Sequence, residues 1–150
     1  VGVVIAKEKE MTAVVCDASV LLKLILAEEG SDRAETLASS FTLIAPELIF
    51  AEVSNVLCTH MRNGRFDLRS GLALFDQLNS SNLEVHPIRP FVARAISIGH
   101  ALRHAVYDCL YLALAEHFDA PLVTADQRFI SAVRRSRLQT AEIRPLSDFA

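Results

Sequence analysis

The sequence predicts an α/β protein with a mainly parallel sheet and helices on both faces. Three observations lead there. Apolar spacing along the 150 residues alternates between a period of two and a helical period. Short strand-like runs give way to helices within a few residues, and no repeat, low-complexity tract or linker interrupts the alternation. With 51% hydrophobic residues, one domain of this size buries roughly 68–70% of the surface its unfolded chain exposes.

Residues 13–17 read as the first strand, with helices over 19–27 and 32–38 parted near Gly30, a natural helix stop. Residues 42–45 form a second strand. Pro46 then takes the favoured first position of a long amphipathic helix that reaches Arg62 and ends at Asn63-Gly64. Apolar residues at 68, 72, 75 and 78 mark a helix over 68–78, and a strand at 83–86 follows before Pro87. Helix 91–102 precedes an almost wholly apolar helix, 106–118, which should be buried on most sides. A strand at 121–124, a helix at 127–135 and an edge strand at 141–144 complete the chain.

A net charge of −3 supplies no general positive field, so a nucleic-acid partner needs a local basic patch. Lysine occurs only at 7, 9 and 23, whereas twelve arginines run from Arg33 to Arg144. The guanidinium fork suits phosphate, although genomic composition produces the same bias. Cys16, Cys58 and Cys109 each sit in an apolar segment and read as small buried thiols in a reducing compartment. There is no C-x-x-C pair and no H-x-x-x-H pair with a plausible third ligand, which excludes the usual zinc patterns. No apolar run approaches the ~20 residues that span a bilayer, and VGVVIAKEKE lacks the basic start and apolar stretch of a secretion signal, so a cytoplasmic protein without a membrane partner is expected. Met11 reads as a natural start. Residues 1–10 are then an extension, disordered or not native, before a single domain over 11–150, unless Val1 is a non-AUG initiation codon.

Four acids stand in apolar patterns. Asp17 and Asp126 each follow a strand and precede a helix, where a carboxylate also serves as a plain N-cap. Glu52 follows Leu48 and precedes Val56 at i, i+4 spacing, inside or at the margin of an apolar stripe, with Asn55 one turn on. Asp108 is the sharpest case, because Val106, Tyr107, Cys109, Leu110 and Tyr111 leave it hardly any solvent face; a buried pair with Arg103 or His104 is the structural alternative. In a parallel sheet the carboxyl ends of the strands share one edge, so Asp17 and Asp126 open into one crevice. Two like charges 4 Å apart repel by about 4 kcal/mol at an effective dielectric of 20, so something positive belongs among them. An all-oxygen site points to Mg²⁺ or Mn²⁺, which suits hydrolysis of a phosphodiester by metal-activated water. Ser19 and Thr124 are placed to orient carboxylates or waters.

Four segments in order, VVCDASVLLK with Asp17, PELIFAEVSNVL with Glu52 and Asn55, AVYDCLYLALAE with Asp108, and PLVTADQRF with Asp126, resemble the PIN-domain ribonucleases, and closely the VapC toxins of toxin–antitoxin pairs. The resemblance covers about residues 13–149. It implies a PIN-like three-layer α/β/α fold of strand order 3-2-1-4-5, with Asp17, Glu52, Asp108 and Asp126 as catalytic and metal-binding residues. It also implies cleavage of structured RNA such as tRNA or ribosomal RNA, a homodimer, and a VapB-like antitoxin that assembles with it as a heterotetramer or larger and lays its tail in the active-site groove. The scarcity of lysine leaves the RNA path to arginine, with Arg62, Arg65 and Arg128 as candidates for phosphate contacts; a solvated helix face is the alternative for each.

Two other chemistries fit poorly. A phosphoacceptor aspartate needs a downstream lysine, and none follows Lys23; position 19 is serine where a phosphatase of that kind has a second aspartate. Cysteine catalysis needs an activated thiolate, and all three cysteines lie in apolar surroundings. The remaining alternative is a catalytically silent binding module of the same fold.

Overall fold

The computed structural model describes residues 12–149, so the expected extension at 1–10 lies outside the described residues. Strand β1 (Ala13–Cys16) lies at the centre of a five-stranded sheet, between β2 (Thr42–Pro46) and β4 (Leu122–Thr124), with β3 (Glu84–His86) and β5 (Ile143–Pro145) at the edges. Every pair is parallel and the order is β3-β2-β1-β4-β5, as the family resemblance implies. Val14, Val15 and Cys16 are buried on both faces of the sheet, which suits a central parallel strand.

Parallel strands need crossovers. From β1 the chain moves outward through α1 (Ala18–Ile25) and α2 (Ser31–Ser40) to β2, then through α3 (Leu48–Arg62) and α4 (Leu68–Asn79) to β3. It returns through α5 (Val92–Leu102) and α6 (Val106–His117) to β4, and α7 (Gln127–Arg135) leads to β5. The two outward crossovers and the two in the opposite sense are all right-handed only if they lie on opposite faces, which makes three layers. Helix α6 packs across β1, β2 and β4 beneath α5. That position buries every residue from Cys109 to Ala115, as its apolar sequence predicts.

The structure corrects three local expectations. Pro46 does not open α3; it remains in the ladder opposite His86, and α3 begins at Leu48. Proline has no N–H, so the bond at that strand end comes from the next residue, with Glu47 N donating to His86 O at 2.7 Å. Cys58 is exposed on α3, whereas Cys16 and Cys109 are buried. The first turn of α6 rises out of the core at the carboxyl edge of the sheet: Tyr107 is 60% exposed, and the Asp108 side chain 32%.

Gly99 marks a close approach on α5. A Cβ there would meet His104 O at 3.0 Å, and His104 N donates to Gly99 O, so the turn carrying Arg103 and His104 folds tightly against the helix end. Among the described residues no helix is long and apolar enough to cross a membrane.

Leu112 lies fully buried in the middle of α6. Its replacement in Leu112→Ala is expected to lower the unfolding free energy by about 2–5 kcal/mol, read by urea denaturation. A change below about 1 kcal/mol would mean that α6 is not a principal cover of the sheet.

Candidate active site

Because Cys16 pairs with Val123, the residues that follow them in the chain, Asp17 and Thr124, meet at the carboxyl edge. Asp17 stands at the N-terminus of α1 but makes no capping bond with its side chain. Its Oδ1 accepts from Ser19 Oγ, and its Oδ2 accepts from Thr124 Oγ1, both at 2.5 Å. Those hydroxyls are held in turn by the β4–α7 turn: Ala125 N donates to Ser19 Oγ at 2.9 Å, and Asp126 N to Thr124 Oγ1 at 3.0 Å. Burial raises the Asp17 pKa to about 6, the two hydroxyls oppose the rise, and the charge of Asp108 adds to it.

Glu52 reaches the same edge from α3, half-buried. Its Oε1 accepts from Tyr111 Oη at 2.8 Å, and Tyr111, on α6, is fully buried. Desolvation pushes the Glu52 pKa up, the tyrosine hydroxyl pulls it down, and Asp108 and Asp17 push it up further. Asp108 pairs with His104 at 2.6 Å, and the His104 ring lies 4.7 Å from that of Phe129. Asp108 therefore has His104 and not Arg103 as its partner, in a partly exposed pair and not the buried one of the structural alternative.

Asp126 takes the ordinary capping role: its Oδ1 accepts from Arg128 N at 3.0 Å and Phe129 N at 3.1 Å, closing the first turn of α7. Asp17, Glu52 and Asp108 thus share one electrostatic neighbourhood, whereas Asp126 turns toward its own helix. Among the described residues no three acidic, histidine or cysteine side chains close around a point that would hold an ion.

The family model for the PIN domain matches residues 14–135. The chain belongs to the PIN-domain family. Within it the chain is VapC-like: Ribonuclease VapC3 of Pyrobaculum aerophilum is 33% identical over 119 residues, covering 76% of this chain and 89% of that protein. A crystal structure of a protein from Pyrobaculum aerophilum matches with a TM-score of 0.69 at 19% identity, over 92% of this chain and 86% of that one. The structure of VapBC2 from Rickettsia felis bound to a DNA fragment from their promoter matches at 0.60 and 13%, over 89% and 98%. At such identities the two structures speak for the fold alone.

Of the remaining residues singled out in this PIN domain, Ser19 and Thr124 are in place on Asp17. Asn55 is exposed one turn beyond Glu52. Arg62 is the last residue of α3, roughly 15 Å along the helix from Glu52 at 1.5 Å per residue, and Arg65 follows beyond the helix end. Arg62 donates to Thr59 Oγ1 and Arg65 to the ring of His60. Arg128 is exposed at the start of α7, beside Asp126. Tyr111 is the part of the site that the sequence reading misses; His104 enters that reading only as a structural partner of Asp108. A phenol inside a fully buried helix face needs a hydrogen-bond partner, and that requirement alone could have pointed from Tyr111 toward an acid on another element.

The raised Asp17 pKa has a thermodynamic consequence. The folded state holds that proton up to about pH 6, whereas the unfolded chain releases it near 3.8, so this contribution to stability is complete below about pH 4 and disappears as pH rises through 6. In chelator, wild-type stability relative to Asp17→Asn is expected to fall by about 3 kcal/mol between pH 4 and pH 7, as two pKa units imply. Parallel pH profiles of the two proteins in denaturant titrations would refute the assignment.

Proposed function

We propose that the protein is a metal-dependent endoribonuclease, the toxin of a toxin–antitoxin pair, hydrolysing phosphodiester bonds in structured RNA such as tRNA or ribosomal RNA in the cytoplasm. One observation carries this reading: three elements deliver Asp17, Glu52 and Asp108 to one edge, where their charges oppose one another. A fold does not keep such repulsion, together with a buried carboxylate, for stability alone. Kinship with a protein named Ribonuclease VapC3 supports the activity, and a VapB-like antitoxin is the partner that the family resemblance implies. We further infer a homodimer that joins the antitoxin as a heterotetramer or larger, the assembly that the family resemblance implies.

The donor set is carboxylate and hydroxyl without thiolate, which fits Mg²⁺ or Mn²⁺; such ions take one or two carboxylates and keep several waters, so a closed cage is not required. Asp17, Glu52, Asp108 and Asp126 would hold the ion. When bound, it would acidify a water and offset charge on the phosphodiester. The chain's own work is positioning. Ser19 and Thr124 fix the Asp17 carboxylate without neutralising it, because hydroxyls donate hydrogen bonds but carry no charge. Tyr111 holds Glu52 from the core, and the cap on α7 fixes Asp126.

The existing Asp108–His104 pair favours one second reading, the catalytically silent binding module. Purified partner-free protein is expected to cleave RNA with Mg²⁺ or Mn²⁺, with activity lost in Asp17→Asn and Asp108→Asn and lowered roughly 10–100-fold in Thr124→Val. An inert wild type would favour the silent module. Millimolar Mg²⁺ is expected to raise the wild-type melting temperature by mass action and to leave Asp17→Asn nearly unmoved. Equal shifts in both proteins would count against Asp17 as a ligand.

A further inference from the structure

A cleft beside the acids is lined by Arg103, His104, Asp126, Arg128, Ser131 and Arg135. Arg128 and Arg135 are seven residues apart on α7, so they share a face about 10 Å along the helix. Arg103 faces them from the end of α5. Among the described residues, none of these three guanidiniums makes an ion pair or a side-chain hydrogen bond. The cleft on the other side of Gln127 differs. Its cations are both engaged: Lys23 is bound by Glu28 and the Glu29 carbonyl, and Arg33 by the carbonyls of Ser147 and Phe149.

Arg103 carries a second signal. It closes α5 with φ 52° and ψ 46°, the left-handed conformation at a helix end where glycine is the favoured residue. A long cationic side chain kept in a strained backbone position suggests that the side chain is needed.

We propose that Arg103, Arg128 and Arg135 form the phosphate track of the substrate, gripping the backbone of a single RNA strand on the α5–α7 side of the acids. This deepens the ribonuclease reading and rests on it for the identity of the polymer. Arginine forks match phosphate oxygens, and two cations about 10 Å apart on one helix face span more than one phosphate of a strand. The arginines at the far end of α3 are left outside the track: Arg62 and Arg65 are engaged locally, Arg62 roughly 15 Å along the helix from Glu52 and Arg65 beyond the helix end.

The test is the salt dependence of binding to a fluorescent, mixed-sequence, single-stranded RNA, measured in Mg²⁺ on the full chain with the Asp17→Asn change so that the probe survives. Each of Arg103→Gly, Arg128→Ala and Arg135→Ala is expected to weaken binding across sequences and reduce the log–log salt slope by about 0.7. Arg62→Ala should leave the slope unchanged. Arg103→Gly adds an internal control, since relief of the left-handed backbone should keep its melting temperature at or above that of the parent while its binding falls. Unchanged slopes in all three variants overturn the proposal even if the wild type cleaves RNA. Reduced slopes with an inert wild type would sustain the track and overturn only the catalytic reading.

Discussion

Cys16 and Val123 face each other in the parallel pair β1–β4, and the arrangement at the carboxyl edge follows from that register. Asp17 and Thr124 are 107 residues apart in sequence, yet each is the next residue beyond that pairing. Because side chains alternate along a strand, a slip by one residue would turn Thr124 to the other face and leave the Asp17 carboxylate without one of its two hydroxyl partners. The slip would also break the pairing of Val15 with Leu122. The hydrophobic demand of a central strand buried on both faces therefore holds the geometry of a polar site.

The manner in which Asp17 is satisfied matters as much as its position. An arginine would have cancelled its charge and pulled its pKa down, leaving little for a cation to bind. Two hydroxyls do something else: they donate hydrogen bonds, orient both oxygens and leave the charge in place, so desolvation prevails and the pKa rises. Tyr111 treats Glu52 in the same way. Asp108 is held differently, by the His104 ring nitrogen at the rim, where both side chains remain partly solvated. Neutral hydroxyls thus hold the carboxylates in the interior of the cluster, and an imidazole holds the one at its exposed side.

The strands, helices and central acids were legible because they rest on local pattern: period, caps and an acid where an apolar residue belongs. The order of the strands was not. Periodicity says that strands alternate with helices but not which strand lies beside which, and only the resemblance of four spaced segments supplied 3-2-1-4-5. Pro46 was misplaced because ladder pairing with β3, a tertiary effect, outweighed the preference of proline for a helix start. The burial of Asp108 was overstated because a linear count of apolar neighbours cannot register that the first turn of α6 projects past the edge of the sheet. Asp126 illustrates the opposite problem: as a helix cap or as an ion ligand, an aspartate at that position reads the same in sequence, and the structure records the cap.

The abundance of arginine is ambiguous in the composition, but two groups stand out among the twelve once the fold is known. Four of the twelve secure the end of the chain. Arg33 donates to the carbonyls of Ser147 and Phe149, Arg94 grips Glu116 and the Gln139 carbonyl, and Arg134 donates to Ile143 O. Arg144 pairs with Asp148 and lies over the ring of Phe149. Strand β5 has three residues and one neighbour, so its backbone has few partners of its own. A planar fork with five donors can bind carbonyls across a gap and still stack on a ring, which a lysine cannot do. For these residues a structural demand explains arginine without appeal to nucleic acid. The argument for Arg103, Arg128 and Arg135 gains from the contrast, since in the same fold they are the arginines gathered in one cleft for which no such demand is visible.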